Sequence, residues 1–163
     1  NTSELGIRIE NEEFNKVTDY KLNLIDIDEE IISAPDTNFV TMITMPSGEF
    51  QKICREAFNI ADIIEIKSID NKLILSCKGD FAQQETIYSH TDMGVTFTQG
   101  DQKYQNNIIQ GYYLLRHLSL FSKCANLCQS IKLFLANEQP LVIEYSVGSL
   151  GSLLLALAPQ TDD

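Results

Sequence analysis

The apolar positions of this chain follow one pattern twice. At Phe50, Ile53, Cys54, Ala57 and Ile60 they fall at the spacing of one helix face. Pro46 and Ser47 stand just ahead as helix-start signals. Leu114, Leu115, Leu118, Phe121 and Ala125 predict a second helix of the same kind. Three strand-like runs follow each helix: Ile63–Ser68, Lys72–Cys77 and Glu85–Ser89, then Ile131–Ala136, Leu141–Val147 and Leu153–Ala158. Asp70-Asn71 and Glu138-Gln139-Pro140 mark the turns between the first two runs of each set. A further strand is expected before each helix, at Phe39–Met45 and near Tyr104–Ile109. The unit reads β-α-β-β-β, with corresponding strands about 67 residues apart. Two copies predict an α+β fold with antiparallel sheets and two helices on one side, over roughly residues 38 to 159.

The residues ahead of the repeat do not belong to it. Leu5–Glu10 and Val17–Leu24 alternate like a hairpin, and Leu24–Asp36 reads as an acidic loop with Asp26, Asp28, Glu29 and Glu30. A lone hairpin is marginally stable, so this one is expected to pack on another body. The chain opens Asn1-Thr2-Ser3 and runs straight into alternating Leu5-Gly6-Ile7-Arg8-Ile9, as if midway into a structure. The expectation is upstream sequence or a partner chain, and no signal peptide.

Charge sharpens this picture. The 163 residues hold 12 Lys+Arg against 23 Asp+Glu, a net charge of −11. Bulk charge of that sign opposes nonspecific nucleic-acid binding. Yet each predicted helix sets a basic stripe opposite its apolar stripe: Lys52, Arg55 and Asn59 on the first, Arg116, Ser119 and Lys123 on the second. Glu49 and Glu56 fall on the flank of the first helix, off that line. Spacing alone leaves two readings, a solvated helix face or a local contact with a polyanion. Cations on helices neutralise phosphates without reading sequence, so the second reading implies weak, salt-sensitive contact.

Little else in the chain suggests chemistry. The 44 % hydrophobic and 21 % charged content are those of a globular protein. No apolar run reaches the ~18 residues of a membrane-spanning helix, so no membrane partner is expected. Cys54, Cys77, Cys124 and Cys128 form no CxxC pair, and only His90 and His117 add imidazoles. The expectation is buried reduced thiols in a reducing, intracellular compartment, with no metal site and no cofactor. The acidic loop lacks the spacing and glycine of an EF-hand. A hydrolase using Cys124 or Cys128 with His117 is the rival from another class. No P-loop or nucleophile–base constellation supports an enzyme.

Several runs, in order and at matching spacing, resemble the DNA sliding-clamp family of the proliferating cell nuclear antigen type. They are Val17-Thr18-Asp19-Tyr20-Lys21-Leu22, Leu24-Ile25-Asp26-Ile27-Asp28, Met45-Pro46-Ser47-Gly48-Glu49-Phe50, Ile53-Cys54-Arg55, Pro140-Leu141-Val142-Ile143-Glu144-Tyr145 and Leu157-Ala158-Pro159. The resemblance covers essentially the whole chain. It implies the end of a first clamp domain at residues 1–24, an interdomain connecting loop at 25–37 and a second clamp domain at 38–163. It also implies a non-enzymatic ring of three subunits around duplex DNA, with helices lining the channel and sheets outside. Lys16, Lys52, Arg55, Arg116 and Lys123 match channel-facing cations.

The same resemblance implies two further surfaces. Subunits join through edge strands, here Val17–Asn23 with Tyr20, and Phe81–Ser89 with Phe81, Glu85 and Ile87. On sequence alone Tyr20 also reads as a half-buried hairpin residue. Replication and repair partners, among them DNA polymerases, nucleases and ligases, insert a short motif with aromatic anchors (the PIP box) into a hydrophobic pocket. Ile31, Ile32, Ala34 and Pro35 match its loop side, and Ala156, Leu157, Ala158 and Pro159 its C-terminal side. Ile31-Ile32 also read as a loop anchored to its own core. A clamp loader and a nuclear location belong to the same implication. The alternative is a non-encircling fragment that binds partner peptides and regulates an intact clamp. Ala156 departs from the family's frequent aromatic and Gln160 from its usual basic residue. Asp70 stands where the family's main ubiquitin and SUMO acceptor lysine lies, and that modification is not carried over to Lys67 or Lys72.

Overall fold

The computed structural model describes residues 4–24, 39–99 and 108–160. The chain divides into two compact units, Asn1–Asp36 and Thr37–Asp163. In the first unit β1 (Glu4–Asn11) and β2 (Lys16–Asn23) pair antiparallel, with Ile7 opposite Tyr20 and Arg8 opposite Asp19. Asn11 Oδ1 accepts the Phe14 N–H at 3.0 Å and Asn15 takes φ 45°, the turn chemistry suited to asparagine. Alternation puts Leu5, Ile7, Ile9, Tyr20 and Leu22 on one face, each exposed within the unit. The other face carries the Arg8–Asp19 ion pair at 2.7 Å.

The second unit contains β3 (Thr41–Pro46), α1 (Ser47–Phe58), β4 (Ile63–Ile69), β5 (Lys72–Lys78), β6 (Gln83–Ser89), β7 (Thr96–Gln99) and β8 (Ile109–Leu114). It continues with α2 (Leu115–Phe121), a 3-10 turn (Ser122–Leu127), β9 (Ser130–Leu135), β10 (Leu141–Ser146) and β11 (Ser152–Leu157). The two copies of the repeat exchange their first strands. β3 pairs with β9 of the second copy, and β8 with β4 of the first. The sheets therefore run β11-β10-β9-β3-β7 and β6-β5-β4-β8, antiparallel throughout. Each helix carries the chain from one sheet to the other.

One hydrophobic core lies between these layers. Alternate strand residues point into it, including Ile43, Met45, Ile64, Ile66, Leu73, Leu75, Ile131, Leu133, Leu141 and Ile143. From the helices come Phe50, Ile53, Cys54, Ala57, Leu115 and Leu118. Gly79 brings the β5–β6 turn against the Ile60 carbonyl at the end of α1, where any Cβ would collide with backbone. The Tyr113 ring lies across Gly111 in the same way.

Three expectations need correction. The second helix is shorter than its apolar spacing suggests, because Ser122 turns its hydroxyl back on the Ser119 carbonyl at 2.9 Å and the chain tightens into the 3-10 turn. Leu114 closes β8 rather than opening α2, since Ile109, Gly111 and Tyr113 bury alternately and the glycine hides that pattern in the sequence. Phe81 precedes β6 in a turn and is 79 % exposed, so the edge strand begins at Gln83. The four-residue β7, paired with β3 through Ile43 and Phe97, adds a strand outside the repeat.

Candidate nucleic-acid interface

α1 buries Phe50, Ile53, Cys54 and Ala57 and leaves Lys52 and Arg55 exposed. Glu49 in its first turn and Arg55 in its last suit the helix dipole. The flanking acids are drawn toward β6. Tyr88 donates to Glu49 at 3.4 Å, and the Gln84 amide to Glu56 at 3.5 Å. Burial and these two carboxylates push the Tyr88 hydroxyl up to about 12, so it remains a proton donor near neutral pH. The Lys52–Arg55 line thus stays free of acid.

α1 packs against α2 and the 3-10 turn. Arg116 is exposed on α2, where its Nε donates to His117 Nε2 at 3.2 Å. Lys123 is exposed on the 3-10 turn, not on a regular α-helix. Ser119 is half-buried and Asn59 is the C-cap of α1. The cations predicted at Lys52, Arg55, Arg116 and Lys123 therefore lie on elements packed together in one unit. Lys16 is exposed at the start of β2, in the other unit.

Side chains lock this assembly. Ser47 is the first residue of α1, and its side chain is spent on another element. Its buried hydroxyl lies 2.6 Å from the Cys128 carbonyl, 2.9 Å from that of Ala125 and 3.2 Å from that of Gln129, with one proton to serve all three. Gln51 Nε2 donates to the Ser122 carbonyl at 3.0 Å, and the Tyr145 hydroxyl to that of Phe121 at 3.0 Å. Burial holds the Tyr145 hydroxyl well above its ordinary pKa, which keeps it a donor. Gln51 was not singled out by the spacing argument, and a polar residue between core and stripe gives no sign of its partner.

The cysteines do not assemble a catalytic pair. All four are free. Burial pushes the Cys54 thiol up to about 12 and also raises Cys77, which disfavours thiolates. Cys128 donates to the Ser130 carbonyl at 3.0 Å, and His117 accepts from Arg116. None of these contacts pairs a thiol with the imidazole. Among the described residues no group of three or more His, Cys, Asp or Glu side chains is placed to hold a metal ion.

Residues 33–160 match the family described as proliferating cell nuclear antigen, C-terminal domain. This chain belongs to that family. Its α+β architecture is that of the clamp fold. It is 33 % identical over 159 residues to a relative named "Probable DNA polymerase sliding clamp 1" from Paramecium bursaria Chlorella virus 1, covering 95 % of this chain and 59 % of the relative. It is 30 % identical over 160 residues to the "Proliferating cell nuclear antigen" of Chaetomium thermophilum, covering 98 % of this chain and 61 % of the relative. The chain spans about three fifths of the length of these curated relatives.

The remaining positions marked by the clamp resemblance are distributed as follows. Tyr20 is exposed on β2 opposite Ile7. Glu85 and Ile87 are exposed on β6, an edge of its sheet. Ala156 and Leu157 end β11, Ala156 exposed and Leu157 packed on the core, while Ala158 and Pro159 follow the strand. Ile31, Ile32, Ala34 and Pro35 lie outside the described residues.

Proposed function

We propose that this chain serves as part of a DNA sliding clamp that encircles duplex DNA and tethers replication and repair proteins to it. The carrying observation is the exposed cation set Lys52, Arg55, Arg116 and Lys123, on packed helical elements of a protein with net charge −11. A few cations without base-reading side chains give contact that holds a duplex loosely and lets it slide. Lys16, exposed on β2 of the other unit, is a further cation for the DNA. The acidic remainder keeps DNA off the outer surface. Clamps of this family are non-enzymatic processivity factors, and the mechanism is tethering, which raises a polymerase's effective concentration at its template.

In this reading β2, with Tyr20, pairs with β6 of the next subunit, where Glu85, Ile87 and nearby Phe81 meet it, and three subunits close the ring. Ala156, Leu157, Ala158 and Pro159 belong to a pocket that takes aromatic peptide motifs of polymerases, nucleases and ligases. Small side chains there leave room for bulky anchors. A clamp loader opens the ring, and the nucleus is the place of action.

The direct test replaces Lys52, Arg55, Arg116 and Lys123 together by alanine and measures binding to a short labelled duplex at several salt concentrations. The expected result is weaker binding and a salt slope reduced by about 0.9 per lost phosphate contact, with the fold intact. Unchanged binding at low salt would sink the assignment.

A further inference from the structure

The end of the second helical segment is held by side chains of other elements. α2 stops at Phe121, and the chain enters its 3-10 turn just where Lys123 sits. Carbonyls at a helix end need donors from outside the helix, and 3-10 geometry bonds less well than α. Three side chains supply the donors. Tyr145 serves Phe121, the single Ser47 proton is shared among the carbonyls of Ala125, Cys128 and Gln129, and Gln51 serves Ser122. Tyr145 and Ser47 are buried and belong to the core. Gln51 is half-buried at its margin, one residue before Lys52, and its acceptor is one residue before Lys123.

We propose that Gln51 is a positioning residue for the DNA contact. Its amide ties the first basic stripe to the 3-10 turn, so that Lys123 keeps a fixed place relative to Lys52 and Arg55. The two stripes then present one track to one phosphate backbone. The inference rests on the DNA reading above. Without the amide, the Ser122 carbonyl turns to water and the turn loses its surface tether. A cation on a loosened turn must be ordered again at each contact, which weakens its contribution.

Gln51→Met keeps the length of the side chain and removes the donor. Binding of the full chain to a short fluorescein-labelled duplex, followed by anisotropy across a KCl series, reads the effect. The salt slope is expected to fall by about 0.9, the equivalent of one phosphate. Combined with Lys123→Ala, Gln51→Met should cause no further loss; combined with Lys52→Ala, the two losses should add. A general loss of structure would weaken both combinations alike. The Lys123 amide resonance is expected to move in Gln51→Met without any DNA present. An unmoved Lys123 resonance, an unchanged slope, or full additivity with Lys123→Ala overturns the proposal. The fourfold alanine variant separates the two ideas. If it binds DNA as the parent does, the DNA reading falls and takes this proposal with it. If it weakens binding while Gln51→Met leaves the slope unchanged, only the role of Gln51 falls.

Discussion

The two edges of the four-stranded sheet are treated in opposite ways. Along β8 the chain closes its own edge. Asn137 Oδ1 accepts the Gln110 N–H at 2.9 Å, Asn137 Nδ2 donates to the Ile108 carbonyl at 3.0 Å, and the Gln160 N–H donates to the Tyr112 carbonyl at 2.7 Å. β3, the matching strand of the other copy, is closed by β7. β6 has no strand beyond it among the described residues, and Glu85 and Ile87 on it are exposed. Unpaired edges are templates for other strands, and folded proteins usually blunt them. Here the first strand of each copy is blunted, and among the described residues no strand pairs beyond the last ones, β6 and β11. That asymmetry is what a subunit needs if it is to join others at chosen edges only.

The largest effect is expected at the open edge. Ile87→Lys places a charge on β6 where the proposed ring needs a partner strand, a substitution that blunts edges. Sedimentation of the parent should give a mass above one protomer, and the variant should fall to the protomer mass with its fold retained. Equal masses would remove β6 as the joint. Tyr20→Ala tests the complementary strand and is expected to shift the same equilibrium less far. At the closed edge the sign reverses. Asn137→Ala frees a backbone N–H and a carbonyl, at a cost of about 1 kcal/mol because water reaches both. The newly opened β8 should make the variant self-associate more than the parent. A variant that loses stability without gaining association would show that Asn137 is a turn residue and not an edge guard.

These contrasts were only partly legible in the sequence. The duplicated unit and the length of α1 follow from apolar spacing, because burial on one face imposes a period of 3.6 or 2 on any chain that folds this way. The strand exchange does not follow. β3 pairing with β9, and β8 with β4, is decided by contacts distant in sequence, and each strand's own pattern is the same whichever neighbour it takes. β7 is too short to show a period. The α2 break rests on Ser122, Gln51 and Tyr145, polar groups whose partners are backbone carbonyls and so leave no mark in the alignment of apolar positions. The stripe residues Lys52, Arg55, Arg116 and Lys123 were legible because exposure opposite a core face is a local property. Asn137 stands beside the Glu138-Gln139-Pro140 turn signal, and nothing local in the sequence marks it as the group that closes β8.

Between the two edges, the outer face of the sheet carries a smaller and more local test. Glu65 on β4 accepts from the Ser76 hydroxyl at 2.9 Å and the Tyr112 hydroxyl at 3.3 Å, and pairs with Lys67 at 3.2 Å. Partial burial pushes its carboxyl up, but Ser76, Lys67 and Tyr112 together outweigh burial and hold it below the ordinary value. The folded form thus favours the carboxylate more than the unfolded chain does. Its contribution is fully present above the ordinary glutamate pKa of about 4.3 and is lost as pH falls through the lower folded value. The side chain is 20 % exposed, so the ion pair is partly screened and the effect is expected to stay below about 1 kcal/mol. Urea midpoints of the parent and Glu65→Gln, measured from neutral pH downward, should converge in acid as the parent loses this contribution. Parallel curves would show that these contacts arrange the strands β4, β5 and β8 without favouring the charge, and that the face between the edges is held by its packing alone.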